Sequence, residues 1–195
     1  MQVKGHALSW HWHRLQVMGW LLIGRPAQAL ALLGRMLRHW PADAYALASR
    51  AHIHAQAGRR DAAIADAQAL VAAHPQRAAG DWFNLGYLLE AADRLDEAEA
   101  AFRHAIGIND QLDRAWYGLG LVLIRQQRFD EAVAALERNT QLQPMSPFGW
   151  YQLARAQVDR GQPEQARKII RHLKTFEPKV AAQLERETGI GVGEQ

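Results

Sequence analysis

Histidine is the side chain best suited to proton transfer or metal binding near neutral pH, and this sequence carries nine of them. Two close pairs stand out, His11/His13 and His52/His54. Residues two apart on a helix point in nearly opposite directions and cannot share a metal ion. The spacing that would serve, two histidines four apart on one helical face, does not occur. His6, His11 and His13 together would chelate only weakly, and only from a frayed terminus. There is no Cys, which removes thiolate ligands, disulfides and thiol nucleophiles, and Ser occurs only at 9, 49 and 146. No His-Glu-x-x-His, Gly-x-Ser-x-Gly or phosphate-loop motif is present. Gly189-x-Gly191-x-Gly193 has the spacing of a nucleotide loop, but no strand precedes it and no helix follows, so it reads as a flexible end. These residues predict no catalytic site, no metal and no cofactor, and so no enzyme.

The elements that would have to position such residues are helices. Hydrophobic residues make up 49% and charged residues 22% of 195 residues, a globular composition, rich in Ala and poor in Pro. The net charge of +3 and pI near 9.5 come from basic residues scattered along the whole chain. A nucleic-acid binder concentrates them on one face, so no nucleic-acid partner is expected. Leu15 to Ile23 is too short to span a bilayer and lacks a small-residue cleavage site, which predicts a cytoplasmic protein with no membrane span.

Self-comparison gives the organisation. Trp82, Trp116 and Trp150 lie 34 residues apart, and each opens a phrase continuing through Leu85-Gly86, Leu119-Gly120 and Leu153-Ala154. Sixteen residues after each Trp comes Ala98, Ala132 or Ala166, and the same column extends back to Ala63 and Ala29. Pro41, Pro75, Pro144 and Pro178 follow twelve residues later, with Asp110 in the remaining place. A small Ala lets paired helices approach closely. Trp and Leu three apart make a buried stripe, and Pro stops the second helix. Gly24, Gly58 and Gly161 mark the turn between paired helices, with Asp93 and Gln127 in the other two repeats.

At these residues the chain resembles the tetratricopeptide repeat (TPR) family, whose consensus has the same Trp, Leu-Gly, Ala, Phe and Pro order. The resemblance covers roughly residues 10 to 178. It implies an all-α fold, a right-handed α-solenoid of five helix-turn-helix repeats plus a C-terminal capping helix, eleven helices in total with no strand. The expected organisation is an N-terminal arm at 1–9 and five repeats over 10–178 (10–43, 44–78, 79–112, 113–146 and 147–180). A capping helix at 179–188 and a flexible tail at 189–195 complete it. Repeat two has Leu47 in the Trp column and Arg50 where Leu is usual; repeat one keeps only the Ala, the turn and the Pro.

The resemblance also implies a function, that of a protein-binding adaptor or assembly chaperone whose concave groove is lined by the first helix of each repeat. The matching positions are Tyr45 and His52 in repeat two, and Phe83 and Tyr87 in repeat three, with Asn84 beside them. Repeat four offers Arg114, Tyr117 and Leu121, and repeat five Phe148, Tyr151 and Arg155. The alternative for Phe83 and Tyr117, less favoured, is packing between neighbouring repeats. The family's carboxylate clamp would fall on Ala48, His52, Asn84, Arg114 and Gly118, where only Asn84 and, loosely, Arg114 fit. Its asparagine ladder would fall on Leu15, Ser49, Asn84, Gly118 and Gln152, and fails. The expected partner is a protein or peptide, and the Arg-over-Lys bias points to a bacterial source.

The first helix breaks the rule that a terminal repeat is polar on its open side. Trp10 to Ile23 is apolar nearly all round, with a narrow polar strip at His13 and Gln16. Such a surface is expected to be covered. Trp12, Leu15, Met18 and Leu22 are the candidate interface, to a second copy in a homodimer or to an obligate partner subunit. The alternative function is therefore a scaffold that assembles through this helix.

Overall fold

The structure, a computed structural model, describes the backbone of residues 3–191 and the side chains of residues 10–191. Among the described residues there are eleven helices and no strand. They form two compact units, residues 1–88 and 89–195, with the boundary inside one helix.

The first unit holds α1 (Val3–Leu22), α2 (Pro26–His39), α3 (Ala44–Gln56), α4 (Arg60–Ala73) and most of α5 (Ala79–Ala91). Helix α1 begins inside the stretch expected to be an arm, so residues 3–9 are helical; residues 1 and 2 lie outside the described residues. Val17 of α1 is fully buried and joins Ala29, Leu32, Leu33, Met36, Ala46 and Ile53 in the core of this unit. Trp10 donates its indole N–H to Asp43 Oδ2 at 2.6 Å, while Asp43 Oδ1 accepts from Ala46 N at 2.7 Å and caps α3. One carboxylate thus starts α3 and ties α1 to it. Arg50, in place of the usual Leu, is answered by Asp66 on α4 through two bonds of 2.7 and 2.5 Å. Asp66 is buried, and the bidentate guanidinium gives each of its carboxylate oxygens a hydrogen-bond donor there.

The second unit continues through α6 (Leu95–Ile108), α7 (Asp113–Arg125), α8 (Phe129–Leu142), α9 (Pro147–Asp159), α10 (Pro163–Lys174) and α11 (Pro178–Thr188). Close helix approach explains Gly118 and Gly120. A methyl group added at Gly118 would lie 2.6 Å from the Phe102 ring, and one at Gly120 would lie 2.7 Å from Leu136. All five residues of the Ala column (Ala29, Ala63, Ala98, Ala132, Ala166) are fully buried. The five within-repeat turns all pass through left-handed backbone, at Gly24, Gly58, Asp93, Gln127 and Gly161. Asp93 pays the steric cost of a side chain there, and its carboxylate is held by Arg125 at 2.5 Å.

Two expectations need correction. The repeated Trp residues are half-buried rather than buried, because each ring edge is used to hold a loop. The indole N–H groups of Trp82, Trp116 and Trp150 donate to the carbonyls of Pro75, Asp110 and Pro144, all at 2.8 Å. These acceptors are the Pro-column residues of the preceding repeat. Gly189 and Ile190, expected to open a flexible tail, are also part of the fold. Gly189 ends α11 in left-handed backbone, and Ile190 is buried in the core of the second unit. Residues 192–195 lie outside the described residues.

Candidate protein-binding surfaces

In the first unit, α3 and the start of α5 frame a cavity of about 380 Å³. Its walls are small because α3 places Ala48, Ala51 and Ala55 three and four residues apart on one face. His52, Asn84 and Tyr87 stand at its rim, and Leu70 and Ala67 of α4 contribute from below. Tyr87 is 60% exposed, a large ring held out beside an apolar depression. His52 and Asn84 are exposed, whereas Phe83 is half-buried. Tyr45 is not part of this cavity. It packs on the core of the first unit, and the Arg14 guanidinium lies over its ring at 4.3 Å and over that of Trp10 at 4.7 Å. Nearby His54 is partly buried; burial pushes its imidazole pKa down, and its Nδ1 has no hydrogen-bond partner.

In the second unit the expected residues divide. Phe148 is 70% exposed, and Arg114 and Arg155 are exposed. Tyr117, Leu121 and Tyr151 are half-buried, and both tyrosines pack on the core of this unit. The Tyr151 hydroxyl donates to Glu187 of α11, and the Arg155 guanidinium lies 5.9 Å from its ring centre. The Glu187 bond and burial raise the phenol pKa. The same bond, with one from Gln183, lowers that of Glu187. Tyr151 therefore anchors the last helix.

Sequence reasoning missed two features. The small wall of α3 was visible as alanines at 48, 51 and 55, but spacing alone does not say that a cavity results. The second is a depression of about 520 Å³ over Trp116, between α6 and α8, lined by Ile106, Ala134 and Ala135 with Arg103, Glu131 and Arg138 around it. It lies between two second helices over Trp116, Leu119 and Leu123 of α7, away from the expected groove positions. Among the described residues no three His, Asp or Glu side chains gather where a metal could be held, and no helix is long and apolar enough to cross a membrane.

On the expected interface, Trp12 and Leu15 are each 60% exposed, Met18 57% and Leu22 88%.

Paired helices with apolar faces held open by small side chains define a helical-repeat interaction module. Three sequence models, each of the tetratricopeptide repeat, match residues 23–78 and 49–113, 89–147, and 147–172. Together they span most of the chain, which belongs to the tetratricopeptide repeat family, a family of protein-interaction modules. No curated protein matches it. Among solved structures it is similar to MamA, with 20% identity over 91% of this chain and 94% of that one and a TM-score of 0.78. A MamA fragment from Desulfovibrio magneticus RS-1 gives 19% identity over 91% and 95%, with a TM-score of 0.75. YrrB, a TPR protein with an unusual peptide-binding site, gives 16% identity over 87% and 88%, with a TM-score of 0.78. At these identities the likeness is one of fold, all-α and of the tetratricopeptide type.

Proposed function

We propose that this chain is a non-catalytic adaptor or assembly chaperone that holds a peptide or helical segment of a partner protein on the first helices of its repeats. Its place of work would be a bacterial cytoplasm, bacterial on composition and cytoplasmic on the shortness of the apolar run Leu15 to Ile23. The observation that carries the proposal is the first-unit cavity with Tyr87 exposed at its rim. A ring held in water beside an apolar depression gains most of its contact area only when a partner arrives, and Tyr is among the residues enriched in binding hot spots. Phe148 with Arg114 and Arg155 offers the same kind of chemistry in the second unit. Phe148, rather than the anchored Tyr151, is therefore the aromatic contact there. The test is capture of the partner by the purified chain, compared with a Tyr87→Ala, Phe148→Ala variant. Both rings are exposed, so the variant should keep its melting temperature and lose capture at least tenfold. Unchanged capture by a folded variant would move binding to another face.

A second reading, self-assembly through α1, rests on a separate observation, the exposure of Trp12, Leu15, Met18 and Leu22. The two readings are compatible, since they use different residues.

A further inference from the structure

Helix α1 presents its buried side through Trp10, Arg14, Val17 and Trp20, and its open side through Trp12, Leu15, Gly19 and Leu22. The open residues are spaced three, four and three apart, the rhythm with which one helix packs side chains into a second helix. Met18 and Ile23 flank the stripe and are also exposed. Gly19 interrupts it. A side chain built there would touch nothing among the described residues, so no contact described within the chain accounts for the glycine. An exposed glycine inside a helix weakens that helix relative to Ala.

We infer that the stripe is covered by a second copy of the same helix, running antiparallel about a two-fold axis level with position 17. This deepens the self-assembly reading by fixing its register. The sequence 12, 15, 19, 22 is symmetric about that point. Trp12 of one copy then meets Leu22 of the other, and Leu15 fills the notch left by Gly19. A large side chain against a missing one is how helix pairs reach close packing.

Three observations favour this occupant. The exposed side chains of the stripe and its flanks offer on the order of 600 Å² per copy, approaching the ~800 Å² that each partner brings to a standard interface. The stripe carries no charge, so two copies meet without like-charge repulsion; the lone charged residue between Trp10 and Ile23 is Arg14, whose guanidinium is turned onto the rings of Trp10 and Tyr45. A helix that lies on a membrane needs a polar face rich in Lys or Arg, and this segment has His11, His13 and Gln16 instead.

The experiment uses the whole chain, whose lack of Cys makes any introduced thiol unique. Light scattering at micromolar concentration should give twice the 21.9 kDa of one chain. Leu22→Glu and Gly19→Lys should each return it to a single chain with an unchanged circular dichroism spectrum. Mixed Leu15→Cys and Gly19→Cys proteins should form a disulfide-linked pair several times faster than Leu15→Cys alone. A monomeric unmutated protein would end both the register and the self-assembly reading. A dimer in which Leu15→Cys links fastest to itself would overturn the antiparallel register and leave self-assembly standing. A monomer that cosediments with anionic phospholipid vesicles, and loses this with Leu22→Glu, would replace the second copy by a membrane surface.

Discussion

Helices α1 and α11 are the first and last described helices, and they treat water in opposite ways. Helix α11 lays fully buried Ala181 and Leu184 on the core of the second unit. It turns Lys179, Gln183 and Glu187 outward and adds ties from Tyr151 to Glu187 and from Lys174 to Glu185. Among its described side chains, helix α1 commits only Val17 fully to a core and leaves Trp12, Leu15, Met18 and Leu22 in water. They flank the repeats of this sequence, but only α11 has the composition of a cap. Position in an array therefore does not decide whether a helix seals it; the identity of the residues on its outward face does.

The comparison can be broken at either helix. Leu184→Ala should be the most damaging change, costing about 2–5 kcal/mol in urea unfolding, because it empties a fully buried site. A small effect would mean α11 is not sealing the unit. Next comes Asp43→Ala, which removes the cap of α3 and the acceptor for Trp10 together, about 1–2 kcal/mol by the same measurement. An undisturbed α1 in that variant, judged by unchanged Trp fluorescence, would show that the tie is not what positions it.

A smaller effect depends on pH. Because Glu187 titrates below its ordinary value, its bond to Tyr151 stabilises the fold above the carboxylate range and is lost as pH falls through the folded value. The Tyr151 phenol is raised, so the same bond is also lost in strong alkali, above the phenol's ordinary range. Glu187→Gln should accordingly differ most from the unmutated chain near neutral pH and converge with it only in acid, below the ordinary carboxylate range. Least of all, Leu22→Ala should leave unfolding of the single chain within about 0.5 kcal/mol of the original, since the side chain is 88% exposed. A large loss in a confirmed monomer would show that Leu22 itself has a contact inside the chain.

The repeat architecture was legible because its period is carried by residue types with one steric purpose. Ala29 through Ala166 can be read as close-approach sites from spacing alone, and all five are buried. The turns were legible even where Asp93 and Gln127 replace Gly, since the register places them. Interactions that leave the period were not. Arg50 reads as a departure from the consensus until Asp66 is seen across from it, sixteen residues on. Tyr151 sits in a groove column, yet a glutamate of the non-repeat helix α11 claims its hydroxyl. The indole bonds of Trp82, Trp116 and Trp150 were missed because hydrophobic spacing describes which face a ring is on and is silent about where its N–H points.

Those three indole bonds have a consequence for how the chain comes apart. Each runs from the opening helix of one repeat to the backbone just behind the previous one, so a repeat that frays must also release the loop of its neighbour. A bond of this kind contributes about 1 kcal/mol, and placed at the seam it enters as a nearest-neighbour coupling rather than as a property of either repeat. Unfolding would then travel along these seams in blocks, and replacing one indole by phenylalanine would loosen the cooperativity of the transition more than its midpoint.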